Sequence, residues 1–150
     1  MNYNKRFQEL KRKYFPEFKN KEIVLEKAKQ KVFMKAFPLN NKVYFNEKIM
    51  KSCPPRARDA AFVHEIYHKL QFSNMNFIKR VTVFIAYLLS QRVRIKIERE
   101  ANVDTVKRGF SQGLIELNKF VKKRVGKELW ENEVKDLHLT KREIKRFSKL

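Results

Sequence analysis

The stretch FVHEIYHKL at residues 62–70 predicts a helix that carries two histidines on one face. His64 and His68 are four residues apart, which in a helix is about one turn. Two imidazoles at this spacing can bind one Zn²⁺, and Glu65 can reach a water on that ion without taking a ligand position itself. The stretch therefore matches the H-E-x-x-H pattern of zinc peptidases.

The residues around this stretch predict that the middle of the chain is mostly helical. No glycine or proline occurs between Arg56 and Arg108, so little in this interval ends a helix. We expect three helices: one from Pro54-Pro55 to about Phe72, one over about 76–91, and one from about 95 to near Gly109. VRIKIE at 93–98 alternates apolar and charged residues, so on its own it also suits a strand.

The flanking parts predict a small sheet before these helices and more helices after them. Segments at 22–26, 31–37 and 41–46 are typical of strands, with a turn at 38–40. A basic helix over 4–14 precedes them, and two or three helices follow Gln112, with Gly126 as a joint. We predict an α+β fold, in which a short antiparallel or mixed three-stranded sheet is followed by a mostly helical bundle. At this length we expect one domain, residues 1–150, with a core at about 20–110 and a C-terminal helical extension at about 111–150.

Catalytic zinc sites use three protein ligands, so a third ligand is expected elsewhere in the chain. The six residues after His68 contain neither glycine nor histidine, which excludes the continuation x-x-G-x-x-H. Glu100 and Asp104 lie four residues apart in IEREANVDTVKRG, residues 97–109, and so share a helical face. Glu100 can complete a His₂Glu set, and Asp104 can accept the other N–H of a ligand histidine, with His64 as its expected partner.

Two interpretations compete with this metal site. The acidic residues of the second segment can instead form a solvated face that pairs with nearby cations. That face comprises Glu98, Glu100 and Asp104, with Arg94, Lys107 and Arg108 as partners. The H-E-x-x-H match can also be accidental, in which case the chain is a latent or non-catalytic helical module.

HEIYH followed by ExxxD on a second helix resembles the gluzincin zinc metallopeptidases. The preceding NKVYFNEKIMKSCPPRARDAAFVHEIYH is similar to the strand, connector and active-site helix of gluzincins of the prenyl-protease type. The small size is similar to that of the archaeal minigluzincins, and EREAN is similar to a segment of ImmA/IrrE-type peptidases. The resemblance covers about residues 20–110 and implies a small zincin-like catalytic domain with a metal ligand at Glu100. Tyr67 departs from the glycine of HExGH, and its ring either narrows the cleft or packs in the core.

The expected activity is hydrolysis of peptide bonds with one Zn²⁺ per chain. The ion would lower the pKa of its water and polarise the scissile carbonyl, and Glu65 would act as general base. The backbone of a peptide or protein substrate is expected to add to an exposed strand edge at Asn41–Asn46. His138 or a tyrosine is the candidate stabiliser of the oxyanion.

The net charge of +20 is spread along the whole chain. It indicates either attraction to nucleic acid, anionic lipid or acidic substrates, or a lysine-rich solvated surface. A DNA-associated or regulatory zinc protease is therefore the alternative function. The segment after Gly126 is expected to pack on the core or on a second copy of the chain, or else to cover the cleft and keep the enzyme latent.

The remaining features concern the compartment and the membrane. A single cysteine, Cys53, fits a reducing compartment, and the N-terminus lacks the apolar core of a signal peptide. We therefore expect a cytoplasmic protein without a transmembrane segment. The apolar run Val81–Leu89 is too short to span a bilayer and predicts a core helix, with contact to a membrane surface as the alternative.

Overall fold

The computed structural model describes residues 2–29 and 33–149 and has the predicted α+β fold. The strands are β1 (Val24–Lys27), β2 (Met34–Ala36) and β3 (Lys42–Phe45). The helices are α1 (Tyr3–Tyr14), α2 (Glu47–Ser52), α3 (Pro55–Ser73), α4 (Phe77–Leu89), α5 (Gln91–Thr105), α6 (Ser111–Val125), α7 (Lys127–Leu129) and α8 (Lys141–Phe147). Short 3₁₀ or π-helical turns occupy Pro16–Phe18, Val106–Phe110, Trp130–Val134 and Lys135–Leu137.

The predicted elements agree with the observed ones to within a few residues, with two differences. VRIKIE lies inside α5 and is helical, and its side chains Val93, Ile95 and Ile97 are half-buried within the helical bundle. The short helix α2 was not predicted; the side chain of Asn46 caps it by accepting a hydrogen bond from the backbone N–H of Ile49 at 3.1 Å. Positions 31 and 32 of the predicted second strand lie outside the described residues.

The sheet is mixed, with the order β1-β3-β2. Strand β3 pairs with β1 in parallel and with β2 antiparallel, so both of its edges are used. The expectation of an exposed edge at Asn41–Asn46 is therefore wrong. Strand β2, which pairs with β3 on the side opposite β1, is the edge strand there. The backbone N–H of Asn46 donates to the carbonyl of Phe33, so alternation along the strand turns the backbone groups of Met34 and Ala36 outward.

Helix α3 is the centre of the molecule and packs against α1, α5, α6 and β2. Phe62, Val63 and Ile66 on this helix are completely buried. Helix α6 approaches α3 closely because Gly113 has no side chain; a Cβ there would lie 2.5 Å from the carbonyl oxygen of Arg56. Gly109, with φ of 91°, forms the turn between α5 and α6. These contacts fix α5 beside the histidine-bearing face of α3.

Helix α4 differs from the predicted core helix. None of its residues is buried, and Phe77, Ile78 and Leu89 are 68%, 76% and 82% exposed. The helix packs mainly against α5 through one side only. Within the described residues, no helix combines the length and the apolar character needed to cross a bilayer.

The C-terminal segment packs on the bundle. Leu139 and Ile144 join the hydrophobic core. The Asn102 side chain donates to the carbonyl of Leu137 at 2.9 Å, and that of Asn118 donates to the carbonyl of Leu139 at 3.0 Å. These bonds hold residues 137–139 against α5 and α6, which agrees with the predicted packing on the core.

Between these anchors, the imidazole of His138 stacks on Trp130, with 5.1 Å between the ring centroids. Burial lowers the pKa of His138 to about 4. Between about pH 6.5 and 4, His138 is therefore protonated in the unfolded chain but neutral in the folded protein. The free energy of unfolding falls as the pH falls through this window.

We expect His138→Phe, which can keep the stack on Trp130, to remove up to about 3 kcal/mol of this acid-induced loss. Urea denaturation of both proteins at a series of pH values between 4 and 7 measures the effect. Equal losses of unfolding free energy in parent and variant would contradict the assigned role of His138.

Candidate metal centre

Three side chains from α3 and α5 converge at one point. His64 and His68 project from α3, and Glu98 projects from α5. The Nε2 atoms of the two histidines are 3.0 Å apart, and Glu98 Oε2 lies 3.1 Å from His64 Nε2 and 3.5 Å from His68 Nε2. All three side chains are largely screened from solvent.

These separations fit a bound divalent ion. Ligand atoms at 2.0–2.1 Å from a tetrahedral ion lie about 3.3 Å from one another, close to the three distances observed. Two imidazoles and one carboxylate form a His₂Glu set, which leaves a fourth position open. The same donor types also suit other first-row divalent ions, so the geometry alone does not select zinc.

Glu98, and not Glu100, is the carboxylate that the structure brings to the histidines. Along α5, Glu98 shares one face with Ala101, Asn102 and Thr105, which are buried. Glu100 is two residues away, so it points to another side of the helix, where it is exposed. The small Ala101 permits the close approach of α5 to α3, and it lies on the face of α5 that carries Glu98. We therefore correct the third candidate ligand to Glu98.

Asp104 also lies apart from the histidines. Its Oδ2 accepts a hydrogen bond from Arg108 Nε at 2.5 Å, and it lines a separate surface pocket with Glu100 and Tyr67. His64 Nδ1, its expected partner, is buried without a hydrogen-bond partner in the described part of the chain. Asp104 follows Glu100 by four positions, and the corresponding residue after Glu98 is Asn102. The amide of Asn102 donates to the carbonyl of Leu137 in the C-terminal segment and not to a histidine.

Glu100 contributes to the site indirectly, through Gln71. The N–H of His68 Nδ1 donates to Gln71 Oε1 at 2.7 Å. The amide nitrogen of Gln71 donates in turn to the carbonyl of Ile97 and to Glu100 Oε2, at 3.2 and 3.1 Å. This chain of bonds orients the His68 ring with Nε2 toward the cluster, which is the tautomer a metal ligand needs.

Tyr87 of α4 contacts the third candidate ligand. Its hydroxyl donates to Glu98 Oε1 at 2.6 Å, while Oε2 of the same carboxylate faces the histidines. Burial and the neighbouring Glu98 raise the pKa of Tyr87, so the hydroxyl keeps its proton and acts as a donor. Tyr87 thereby fixes the orientation of the carboxylate.

We expect Tyr87→Phe to weaken binding of a divalent ion by about 10- to 100-fold, because the Glu98 carboxylate loses its outer hydrogen bond. Tyr67→Phe is the matched control: it makes the same chemical change on α3, and its ring lines the separate pocket. Competition with a chromogenic chelator measures both affinities. Equal affinities in the two variants would show that Tyr87 does not orient the ligand.

The charges of the cluster are coupled. Burial alone would lower the pKa of His68, but the neighbouring Glu98 outweighs it and raises this pKa to about 9. Burial alone would raise the pKa of Glu98, but the two histidines hold it well below its usual range. Without an ion, the cluster therefore keeps a proton on the His68 imidazole beside an ionised Glu98 carboxylate, and a bound ion would replace that proton.

Glu65 lies beside the cluster in a cleft of about 220 Å³. Its Oε2 accepts a hydrogen bond from the backbone N–H of Ala36 at 2.6 Å, so the carboxylate is fixed to the open edge of β2. Residues from β2, the turn after it, α3, α4 and α5 line the cleft: Met34, Lys35, Ala36, Pro38, Glu65, His68, Phe72, Phe84, Tyr87, Ile97 and Glu98. The candidate metal site thus faces a groove that has apolar and charged walls and is bounded by a strand edge.

The other predicted site residues do not line the cleft. His138 is not among the described residues that line the cleft, and its ring is stacked on Trp130. Tyr67 packs against the hydrophobic core and does not narrow the cleft. Among the described residues, no lining residue comes from the C-terminal extension.

Comparison of the chain with protein-family models, with curated proteins and with solved structures finds no match. The function is therefore inferred from the site itself.

Proposed function

We propose that the chain is a zinc-dependent peptidase that hydrolyses peptide bonds. The observation that carries this proposal is the convergence of His64, His68 and Glu98 on one point, with Glu65 next to it in the cleft. The resemblance of HEIYH and its flanks to gluzincin-type peptidases supports the same activity. The corrected ligand, Glu98, keeps the set of two histidines and one glutamate that this activity needs.

The open edge of β2 is the proposed binding site for the substrate backbone. Its outward-facing backbone groups border the cleft beside Glu65 and His68. The N–H of Ala36 is bonded to Glu65, so the backbone of Met34 and the carbonyl of Ala36 are the groups offered to the substrate. A peptide that pairs with this edge as an additional antiparallel strand would pass directly by the histidines. Phe72, Phe84 and Ile97 on the other walls would then receive apolar side chains of the substrate.

Glu65 is the proposed general base. A zinc ion held by His64, His68 and Glu98 would supply a Lewis acid that lowers the pKa of water and polarises the scissile carbonyl. The Glu65 carboxylate would take the proton of the attacking water and pass it to the leaving amine. Its bond to the N–H of Ala36 keeps it oriented between the ligands and the substrate edge.

The test is cleavage of an unfolded protein by the zinc-loaded chain, followed by mass spectrometry of the products. We expect discrete new peptides that disappear after chelation and return when zinc is added back. A chain that binds zinc and cleaves no unfolded protein under any of these conditions would contradict the peptidase proposal. Nucleic-acid binding, self-association and self-inhibition through the C-terminal segment stay predictions from the sequence.

A further inference from the structure

Helix α4 leaves a broad apolar face uncovered. Among the described residues, seven large hydrophobic side chains are exposed, and five of them are on this helix: Phe77, Ile78, Ile85, Leu88 and Leu89. At 100° per residue these five fall within about 120° of arc, so they form one continuous face. A uniformly apolar face of this kind on one helix indicates a docking surface.

The Thr82 hydroxyl, which is the polar group beside this face, is hydrogen-bonded within the helix. Thr82 lies among the exposed apolar residues, and its hydroxyl donates to the carbonyl of Ile78 at 3.0 Å. The hydroxyl hydrogen is therefore used inside the helix. Arg80, on the opposite side, turns its guanidinium back to the carbonyls of Met75 and Ser73. The exposed face thus contains no free charge of α4 at its centre.

Positive charge lies at both ends of the face. Between Glu65 and Glu98 the sequence contains no acidic residue and six lysines or arginines. Lys79 at the start of α4 and Arg92 just beyond its end are exposed. An apolar helical face with a cationic rim is the pattern of helices that lie in the interface of a membrane with anionic lipids.

We propose that α4 docks the protein on an anionic lipid surface, with its apolar face in the boundary of the acyl chains and its basic rim on the headgroups. The charge of the protein favours a lipid surface over a second copy of the chain as the partner of this face. Two copies joined through α4 would bring the same basic rims together on molecules of net charge +20. Lipid headgroups of negative charge are attracted by the same rims.

Docking would bring the cleft close to the membrane. The inward side of α4 carries Phe84 and Tyr87, which line the cleft, and the outward side carries the lipid-facing residues. Lipid docking does not depend on the proposed peptidase activity, since it requires only the exposed face and its rim. Binding is therefore measured without any substrate.

The experiment is co-sedimentation of the full chain with vesicles of phosphatidylcholine alone, or with about one third phosphatidylglycerol. The test variant is Ile78→Asp combined with Leu89→Asp, at two positions that are exposed enough to accept charge without loss of fold. Leu129→Asp is the matched control, because Leu129 is an exposed leucine on α7. Analytical ultracentrifugation of the same samples without vesicles gives the oligomeric state.

We expect binding to the anionic vesicles that weakens with added salt, is at least about tenfold weaker in the double variant and is unchanged in Leu129→Asp. Failure of the parent to bind anionic vesicles at low salt would overturn the proposal. Equal binding by parent and double variant would overturn it as well. A parent dimer that the double variant dissociates would assign the face to a second copy instead.

Discussion

The Glu98→Gln variant is expected to lose zinc, whereas Glu100→Gln retains about one ion per chain. Glu98 supplies the oxygen that lies 3.1 and 3.5 Å from the two histidine nitrogens, and the amide of glutamine carries no charge to replace it. We expect the affinity for zinc to fall by at least about 100-fold. This loss is larger than the loss expected for Tyr87→Phe, which removes only a hydrogen bond to the Glu98 carboxylate. Metal analysis after dialysis and chelator competition measure the loss.

The two glutamates form a matched pair, because they lie on the same helix two residues apart. Glu100 contacts the site only through the amide of Gln71, so Glu100→Gln should change the affinity by a much smaller factor. If Glu100→Gln loses the ion and Glu98→Gln keeps it, the correction of the third ligand is wrong. Circular dichroism of both variants checks that the helices are intact.

The Glu65→Gln variant should lose about a thousandfold in the rate of peptide hydrolysis while it keeps its zinc. Glutamine can still accept the hydrogen bond from the N–H of Ala36, so the position of the side chain is preserved. It cannot accept the proton of water, and the proposed reaction requires that step. Product formation from an unfolded protein, with metal content measured on the same sample, separates catalysis from metal binding.

Glu128→Gln is the control for this measurement, since Glu128 is exposed on the C-terminal extension. Its rate should equal that of the parent. Parent-like hydrolysis by Glu65→Gln would remove the general base from the proposed mechanism. Loss of zinc together with activity would instead assign Glu65 a part in holding the ligands.

The histidine-bearing helix could be predicted from the sequence because the pattern that defines it lies within one short segment. Spacing of four residues puts His64 and His68 on one face wherever the helix lies in the fold. The identity of the third candidate ligand depends on how α5 is rotated toward α3, which spacing within α5 does not determine. The pattern that identifies Glu98 is its position on the same face as Ala101, Asn102 and Thr105, small or polar residues that the structure buries.

The sheet edge and the outer helix could not be predicted for a similar reason. Strand order β1-β3-β2 brings β2 to the cleft, and the order of strands is not contained in the alternation of any one of them. Helix α4 is apolar on most of its circumference, so its pattern does not distinguish a core position from an exposed one. Only the placement of α5 on one side of α4 shows which face stays uncovered.

The most direct measurement is anomalous diffraction at the zinc edge from crystals of the zinc-loaded chain. We predict one strong peak at about 2.0–2.1 Å from His64 Nε2, His68 Nε2 and Glu98 Oε2, with a fourth position open to the cleft beside Glu65. A peak that has Glu100 as its ligand, or crystals without any peak between the two imidazoles, would contradict this prediction.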